Sequence, residues 1–453
     1  MRKKITDAIA RADADYIEVR IHEGAATGIT YAGKELEAIG ERTGLGGCVR
    51  ALVNGGWGFA SFNDIAHLPR YVDMACAHAR LVGDAGVRLA PVPPRTATVS
   101  LPPDLDPADV PLAEKHALCN RYNRIILKHD QIQTSTVSYR DAAGQVIFAN
   151  SEGTFVVQDM AFCGIAVLAI AKDGMDVQRA YESAGDLRGY GNVIGFEEKC
   201  EEVAKRAIDL LHAAPVRAGR YTVVIDPELC GTFVHEAFGH LSEADFLYEN
   251  DRLQEIMVFG RRFGPDHLAI VDDGTMEGEA GTMAYDNEGT PTQRTELIGN
   301  GVLVGRLHSR ETAAKMNETP TGNARALGYA LEPIVRMTNT YMEPRDIPFD
   351  AMLDGIEHGI YAVGSIGGQT NAEMFTFSAE QAYEIRKGKV GKRLRDVVLT
   401  GNVFDTLMNI EAIGNDLRLY GGLGGCGKGN QGPLRTGVGG PHVRIKDVLI
   451  GGR

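Results

Sequence analysis

Residues Thr232 to Asp245 read TFVHEAFGHLSEAD: His235 is followed by Glu236, and a second histidine, His240, comes five positions after the first. Two imidazoles that converge on one point can hold a divalent metal at about 2.0–2.1 Å, and a carboxylate beside them can take a proton from water. The metal-protease signature H-E-x-x-H sets its histidines four apart, on one helix face. Five apart, at roughly 100° per residue, the side chains diverge by about 140°. A regular helix cannot aim His235 and His240 at one ion. Two distortions can: a π-bulge that absorbs one residue, or a helix that ends at Gly239 and leaves His240 on a turn. The competing reading is an ordinary helix with an incidental His-Glu pair, in a chain with 12 His and 60 acidic residues.

A catalytic zinc usually has three protein ligands and one open position. Glu243 and Asp245 are near enough in sequence to supply the third. Cys426, far along the chain in GGLGGCGKGNQG (421–432), is the other candidate. Ten of the twenty residues 421–440 are glycine, which lets backbone approach closely and exposes one side chain. A thiolate beside Lys428 suits a soft ligand; a structural glycine turn with an incidental thiol is the alternative. The loop lacks the Gly-Lys-Ser/Thr ending of a phosphate cradle.

The elements around these residues are partly legible. YIEVRIHEG (16–24) alternates as a strand, and GLGGCVRALVNGGWGFASF (44–62) reads as two short strands about Asn54-Gly55-Gly56. Residues 64–82 have helical spacing with Pro69 in a first turn or at a break. Residues 91–107 hold six of the chain's 18 prolines and read as an extended connector between two subdomains. Residues 108–129 look helical, 135–183 read as a four-stranded antiparallel meander, and 197–214 as an amphipathic helix. After PVRAGR (215–220) a strand, YTVVIDP, leads into the histidine segment. Beyond about residue 250 the chain is dense in glycine and short β-like runs, with a hairpin through Asn300-Gly301. The fold expected is α+β. It has an N-terminal α/β-mixed domain with antiparallel sheet and helices (1–215), and a C-terminal β-rich domain (219–453) carrying the histidine helix.

The chain has 453 residues, 44% apolar and 24% charged, as a globular protein does. Its formal net charge of −13 and the lack of a DNA-binding motif argue against nucleic acid as a partner. Seven cysteines with no C-x-x-C pair read as reduced thiols, and neither an apolar leader core nor a membrane-length apolar run is visible. A cytoplasmic location is the expectation.

Several blocks together resemble the TldD/PmbA metallopeptidases, once described as modulators of DNA gyrase. They are HEAFGHLSEAD (235–245), VDDGTMEGEAGTMAYDNEGTPTQ (271–293), TPTGNARALGYALEPIVRMTNTYMEP (319–344), FTFSAEQAYEIRKGKV (375–390) and GGCGKGNQGPLRTGVGGPHVRI (424–445). YIEVR and GCVRALVNGGWGFAS match more loosely. The family holds active subunits with H-E-x-x-x-H and paralogues that have lost it; this sequence keeps it. The resemblance implies that His235, His240 and Cys426 are zinc ligands, that Glu236 is the base, and that Glu243 and Asp245 orient the rings. Iron suits the same ligand set. It further implies hydrolysis of unfolded peptides in a narrow passage, by a homodimer or a heterodimer with a metal-free paralogue. The alternative is a non-catalytic subunit that binds peptide precursors. SIGGQTNAEMFTFS (365–378), with Gly367 and Gly368, is a candidate wall against which a substrate backbone could lie; an ordinary glycine turn is the other reading.

Overall fold

The computed structural model describes residues 1–451 apart from Asp84 and Ala372. The N-terminal half is built on long strands: Tyr16–Ala32 (β1), Glu35–Val53 (β2), Gly56–Phe62 (β3), Thr96–Val99 (β4), Ile132–Asn150 (β5), Phe155–Asp173 (β6) and Asp176–Asp186 (β7). They form one seven-stranded sheet in the order β3-β2-β1-β5-β6. The outer edge of β6 is shared by β4, parallel to its start, and β7, antiparallel to its second half. The expected meander of four strands is three. Ala142-Ala143-Gly144 does not turn; it stays paired on both edges, Ala143 with Ala25 and Ala161. Small residues flanked by alternating apolar ones can extend a strand when both neighbours continue alongside. The real turns are at Glu152-Gly153 and Asp173-Gly174. Likewise β2 begins at Glu35, well before the expected short strand, and turns at Asn54-Gly55 with φ of 50° and 78°. The proline-rich stretch contains β4, so the chain on either side of it shares a single sheet.

Helices cover this sheet. Arg2–Ile9 (α1) and Leu68–Val82 (α2), with Pro69 in its first turn, pack Ile5, Val72 and Ala75 with Ile17, Val49 and Ala51. Leu112–Leu127 (α3) and Glu197–His212 (α4) pack Tyr122, Cys200 and Val203 with Val137, Ile165 and Val167. The apolar faces predicted from helical spacing are the ones buried.

In the C-terminal half, strands 219–225, 443–451, 398–402, 374–386 and 358–371 pair in succession, and the last returns to the first. Within this ring each strand has a neighbour on either side, so the five close into a barrel along the paired length, and 389–395 and 410–413 pair further with 374–386 and 443–451. A second, six-stranded sheet runs in the order 302–303, 294–299, 270–273, 339–342, 437–440, 418–420. The hairpin at Asn300-Gly301 is present, with φ of 50° and 76°. Helix Pro227–Val234 (α5) lies between the two sheets and is capped by Asp226, whose side chain accepts from the Leu229 N–H at 2.9 Å. Its Phe233 meets Phe375 and Phe377 edge-on, at 5.7 and 5.8 Å between ring centres. A Cβ on Gly231 would stand 2.5 Å from the backbone nitrogen of Gly439. Glycine on both sides is what lets α5 lie this close to strand 437–440. No helix among the described residues is long and apolar enough to cross a membrane.

Candidate metal centre

The strand 219–225 delivers α5, and α5 delivers the histidines. After Val234 the α-helix widens to a π turn over His235–Gly239 and tightens to a 3-10 turn over His240–Ser242. The helix therefore passes through Gly239, whose φ and ψ are −56° and −53°, instead of ending there. Gly239 serves space and not backbone freedom, since a Cβ there would stand 2.1 Å from Met337 Sδ. The extra residue is taken up by the wide turn, and the two imidazoles come to 5.0 Å between ring centres with planes 83° apart.

Cys426 opens a three-residue strand, Cys426–Lys428, paired with Gln431–Leu434. Its Sγ lies 3.3 Å from His240 Nε2. One donor atom from each of His235, His240 and Cys426 lies within 4.8 Å of the others. Donors that share one ion at about 2.0–2.3 Å stand some 3–4 Å apart in a tetrahedron, so the set fits a metal after small adjustment. The donor chemistry, two nitrogens and a sulfur, suits zinc or iron. His235 is buried, and its Nδ1 has no hydrogen-bond partner among the described residues, as a nitrogen placed for another partner would be. The glycine-rich loop is held by Arg336, fully buried, which donates to the carbonyls of Cys426 (2.5 Å) and Gln431 (3.1 Å). Sequence reading missed Arg336; a lone arginine in an apolar run gives no sign of the carbonyls it serves.

A row of charges stands behind His240. Glu243, fully buried, accepts from His240 Nδ1 at 2.9 Å, and Lys428 Nζ lies 3.1 Å from the same Glu243 oxygen. Lys428 also reaches Asp245 at 2.6 Å and donates to the Val335 carbonyl at 2.7 Å. Asp245 accepts from the Val335 N–H at 3.2 Å. Lys428 thus ties the cysteine strand to the histidine segment. Burial pushes the Glu243 carboxyl up, but Lys428 and then His240 outweigh it and hold it at about 2. Burial pulls His240 down, yet Glu243 and the Cys426 sulfur raise it to about 11. Burial pushes the Cys426 thiol up, while hydrogen bonds and charge from His235 and His240 bring it to about 5. Each group thus favours the charged form of the other, thiolate beside imidazolium. Glu236, half-buried, has its carboxyl raised by burial against the pull of His235 and His240, and nothing among the described residues hydrogen-bonds it.

Gly367 and Gly368 lie on the strand His358–Asn371, which runs beside the π turn. Residues 359–362 of that strand pair on both edges, but among the described residues 365–371 pair only with 374–379. A bulge falls between Ser365 and Gly367, where φ is 121°. A Cβ on Gly367 would meet nothing within 4 Å, whereas one on Gly368 would stand 2.0 Å from the Phe377 ring. Gly368 therefore has a packing reason; Gly367 leaves backbone open. Ala372, within the expected wall 365–378, lies outside the described residues.

Comparison with known proteins agrees along the chain. Residues 17–79, 105–211 and 218–452 match the families described as PmbA/TldA metallopeptidase domain 1, central domain and C-terminal domain. A metalloprotease of Synechocystis is 47% identical over 444 residues, 98% of this chain and 96% of that one. A zinc metalloprotease TldD homolog of Saccharolobus solfataricus is 28% identical over 443 residues, 97% of each. The crystal structure of TldE from Thermococcus kodakarensis has the same fold, with a TM-score of 0.79 at 15% identity over 100% of both chains. The chain belongs to the TldD/PmbA family and is a metallopeptidase.

Proposed function

We propose that the chain hydrolyses extended, unfolded peptides with broad sequence tolerance, using zinc held by His235, His240 and Cys426 and Glu236 as general base. The observation that carries this is the gathering of two imidazoles and a thiol within 4.8 Å, next in sequence to a carboxylate with no hydrogen-bond partner among the described residues. The Saccharolobus relative's description as a zinc enzyme favours zinc over iron. Bound there, the metal would lower the pKa of a water and polarise the scissile carbonyl. Glu236 takes the proton of the attacking water and hands it to the departing amine. Burial, by raising its pKa, makes it a better proton carrier near neutrality. Glu243 accepts the Nδ1 proton of His240 and so presents Nε2 to the ion; Lys428 keeps Glu243 charged and in place, and Asp245 anchors Lys428.

The one-sided strand 365–371 offers main-chain groups along which an extended peptide can add as a further strand, with Gly367 admitting close approach. Such binding reads backbone more than side chains, which accounts for unfolded substrates. The working assembly is a dimer, with itself or with a metal-free paralogue. Seven buried free thiols are in keeping with a cytoplasmic site of action. The test is a peptide-degradation time course read by mass spectrometry, with and without chelator, alongside metal analysis. Glu236→Gln should retain the metal and lose about 10²–10⁴-fold in rate. Wild-type rates in Glu236→Gln, or a protein with no metal and no cleavage, would overturn the reading in favour of a different base or a purely peptide-binding subunit.

A further inference from the structure

We propose that the large cavity between the N-terminal sheet and the glycine-rich loops selects peptides that present a carboxylate, and that Arg435 receives it. This rests on the peptidase reading and narrows its substrate class. The cavity holds about 970 Å³. One wall is made of Gly422–Gly424 and Pro433–Arg435, which flank Cys426 and its hairpin partner strand. Leu434 pairs directly with Cys426, so Arg435 is one residue from the strand position opposite the sulfur's own residue. The facing wall comes from β1, β2, β5 and β6. The proposal takes a peptide bound at the metal centre to run past this hairpin into the cavity.

The charges in the cavity do not cancel. Arg42, Arg140, Arg325 and Arg435 line it, against Glu41, Asp141 and Asp159. Two of those acids are engaged elsewhere. Asp141 has Lys115 Nζ at 2.6 Å and accepts from the Tyr139 hydroxyl at 2.6 Å. Asp159 accepts from Ser100 and Gln145 at 2.7 and 3.0 Å. Arg325 spends its fork on the carbonyls of Met337 and Arg435. Among the described residues Arg42, Arg140 and Arg435 have no ion pair. Arg435 is the most confined of these: its guanidinium lies over the Phe162 ring at 4.5 Å, and burial pulls its pKa down to about 10. His22, on the same wall, is pulled to about 3 by burial and by Arg20 and Arg435, so it stays neutral. Arg20, Arg325 and Arg336 are buried without an ion pair, but each donates to backbone carbonyls, whereas no side-chain hydrogen bond joins Arg435 to the other described residues. Half-buried against the Phe162 ring, the guanidinium keeps its donors open to the cavity, and its planar fork matches a carboxylate with two parallel hydrogen bonds.

The carboxylate can come from an acidic side chain or from a peptide's C-terminus, and four forms of one peptide separate these. The peptide carries Glu or Gln at a scanned position, with a free or an amidated C-terminus. Its kcat/KM is measured by mass spectrometry, and its affinity for the Glu236→Gln protein by fluorescence anisotropy. The form carrying the effective carboxylate should be cleaved, and bound, about tenfold or more better than its neutral counterpart. Arg435→Gln should bring that ratio close to one, and Arg435→Lys should restore part of it. Arg140→Gln, at an exposed position that leaves the fold intact, should lower the ratio by a smaller factor. Equal values for all four peptides with the wild-type protein would overturn the proposal, as would a ratio that Arg435→Gln leaves intact. If no peptide is cleaved at all, the peptidase reading has failed, and the binding ratios still decide for or against the carboxylate site.

Discussion

At the scale of single residues, the centre is a chain of donors and acceptors that sets which atom of His240 faces the ion. Glu243 takes Nδ1, Nε2 is left for the metal, and Lys428 neutralises Glu243 from the cysteine strand. Removing the ammonium should loosen the whole row. Lys428→Met is expected to weaken metal binding by about 10–100-fold while the chain stays folded, as read by competition with a chromophoric chelator and by circular dichroism. Unchanged affinity would mean that Glu243 holds the ring unaided. The sequence made His235, Glu236 and His240 visible because their types and spacing are chemically unusual. Glu243 and Asp245 were visible only as neighbours. Cys426 could not be chosen from its surroundings, because a thiol among glycines looks the same whether or not a distant pair of imidazoles faces it. Arg435 gave no signal, since an unpaired charge is a property of three-dimensional neighbours.

At the scale of elements, the π turn reconciles a five-residue spacing with a single target, and α5 holds it in place. The first turn of α5 carries Glu228, whose carboxyl is pushed up to about 8 by burial and then by Asp226, Glu182 and Glu380. Between the ordinary carboxylate value and about 8, the folded chain keeps a proton there that the unfolded chain releases. The unfolded state then binds fewer protons, so stability falls as pH rises through that window. Glu228→Gln removes the slope. Its melting temperature should exceed that of wild type by a few degrees at pH 8 and differ little at pH 5. An equal shift at both pH values would show that the charge is not the cause. Strand and helix positions were legible where apolar residues alternate or recur at helical spacing, as in β1, α3 and α4. The barrel was not, because its closure depends on pairing residues 359–362 with 222–225, and short runs do not announce distant partners. The uninterrupted β5 was missed for a related reason: Ala142-Ala143-Gly144 turns or extends according to its neighbours.

At the scale of the whole molecule, the N-terminal sheet is fastened to the C-terminal half by buried charge. Arg50 on β2 lies 2.9 Å from Glu18 and 2.5 Å from Glu288, with its guanidinium 4.1 Å over the Trp57 ring. Glu288 also accepts from the Arg310 backbone N–H at 2.9 Å, and Arg310 pairs with Glu152 at 2.8 Å. Arg50→Met would leave two carboxylates buried without their shared cation. It is expected to lower the unfolding free energy by about 3–5 kcal/mol, measured by urea denaturation. A loss under 1 kcal/mol would place the join between the halves elsewhere. The cavity proposed to select substrates is walled by both halves, so this join also bears on its shape.

The central claim is that His235, His240 and Cys426 grip one metal ion. X-ray absorption at the metal edge of the purified holoprotein tests it most directly. One sulfur near about 2.3 Å and two nitrogens near about 2.0–2.1 Å are predicted, with the sulfur contribution lost in Cys426→Ser. A first shell of oxygen and nitrogen alone in the wild-type protein would contradict it.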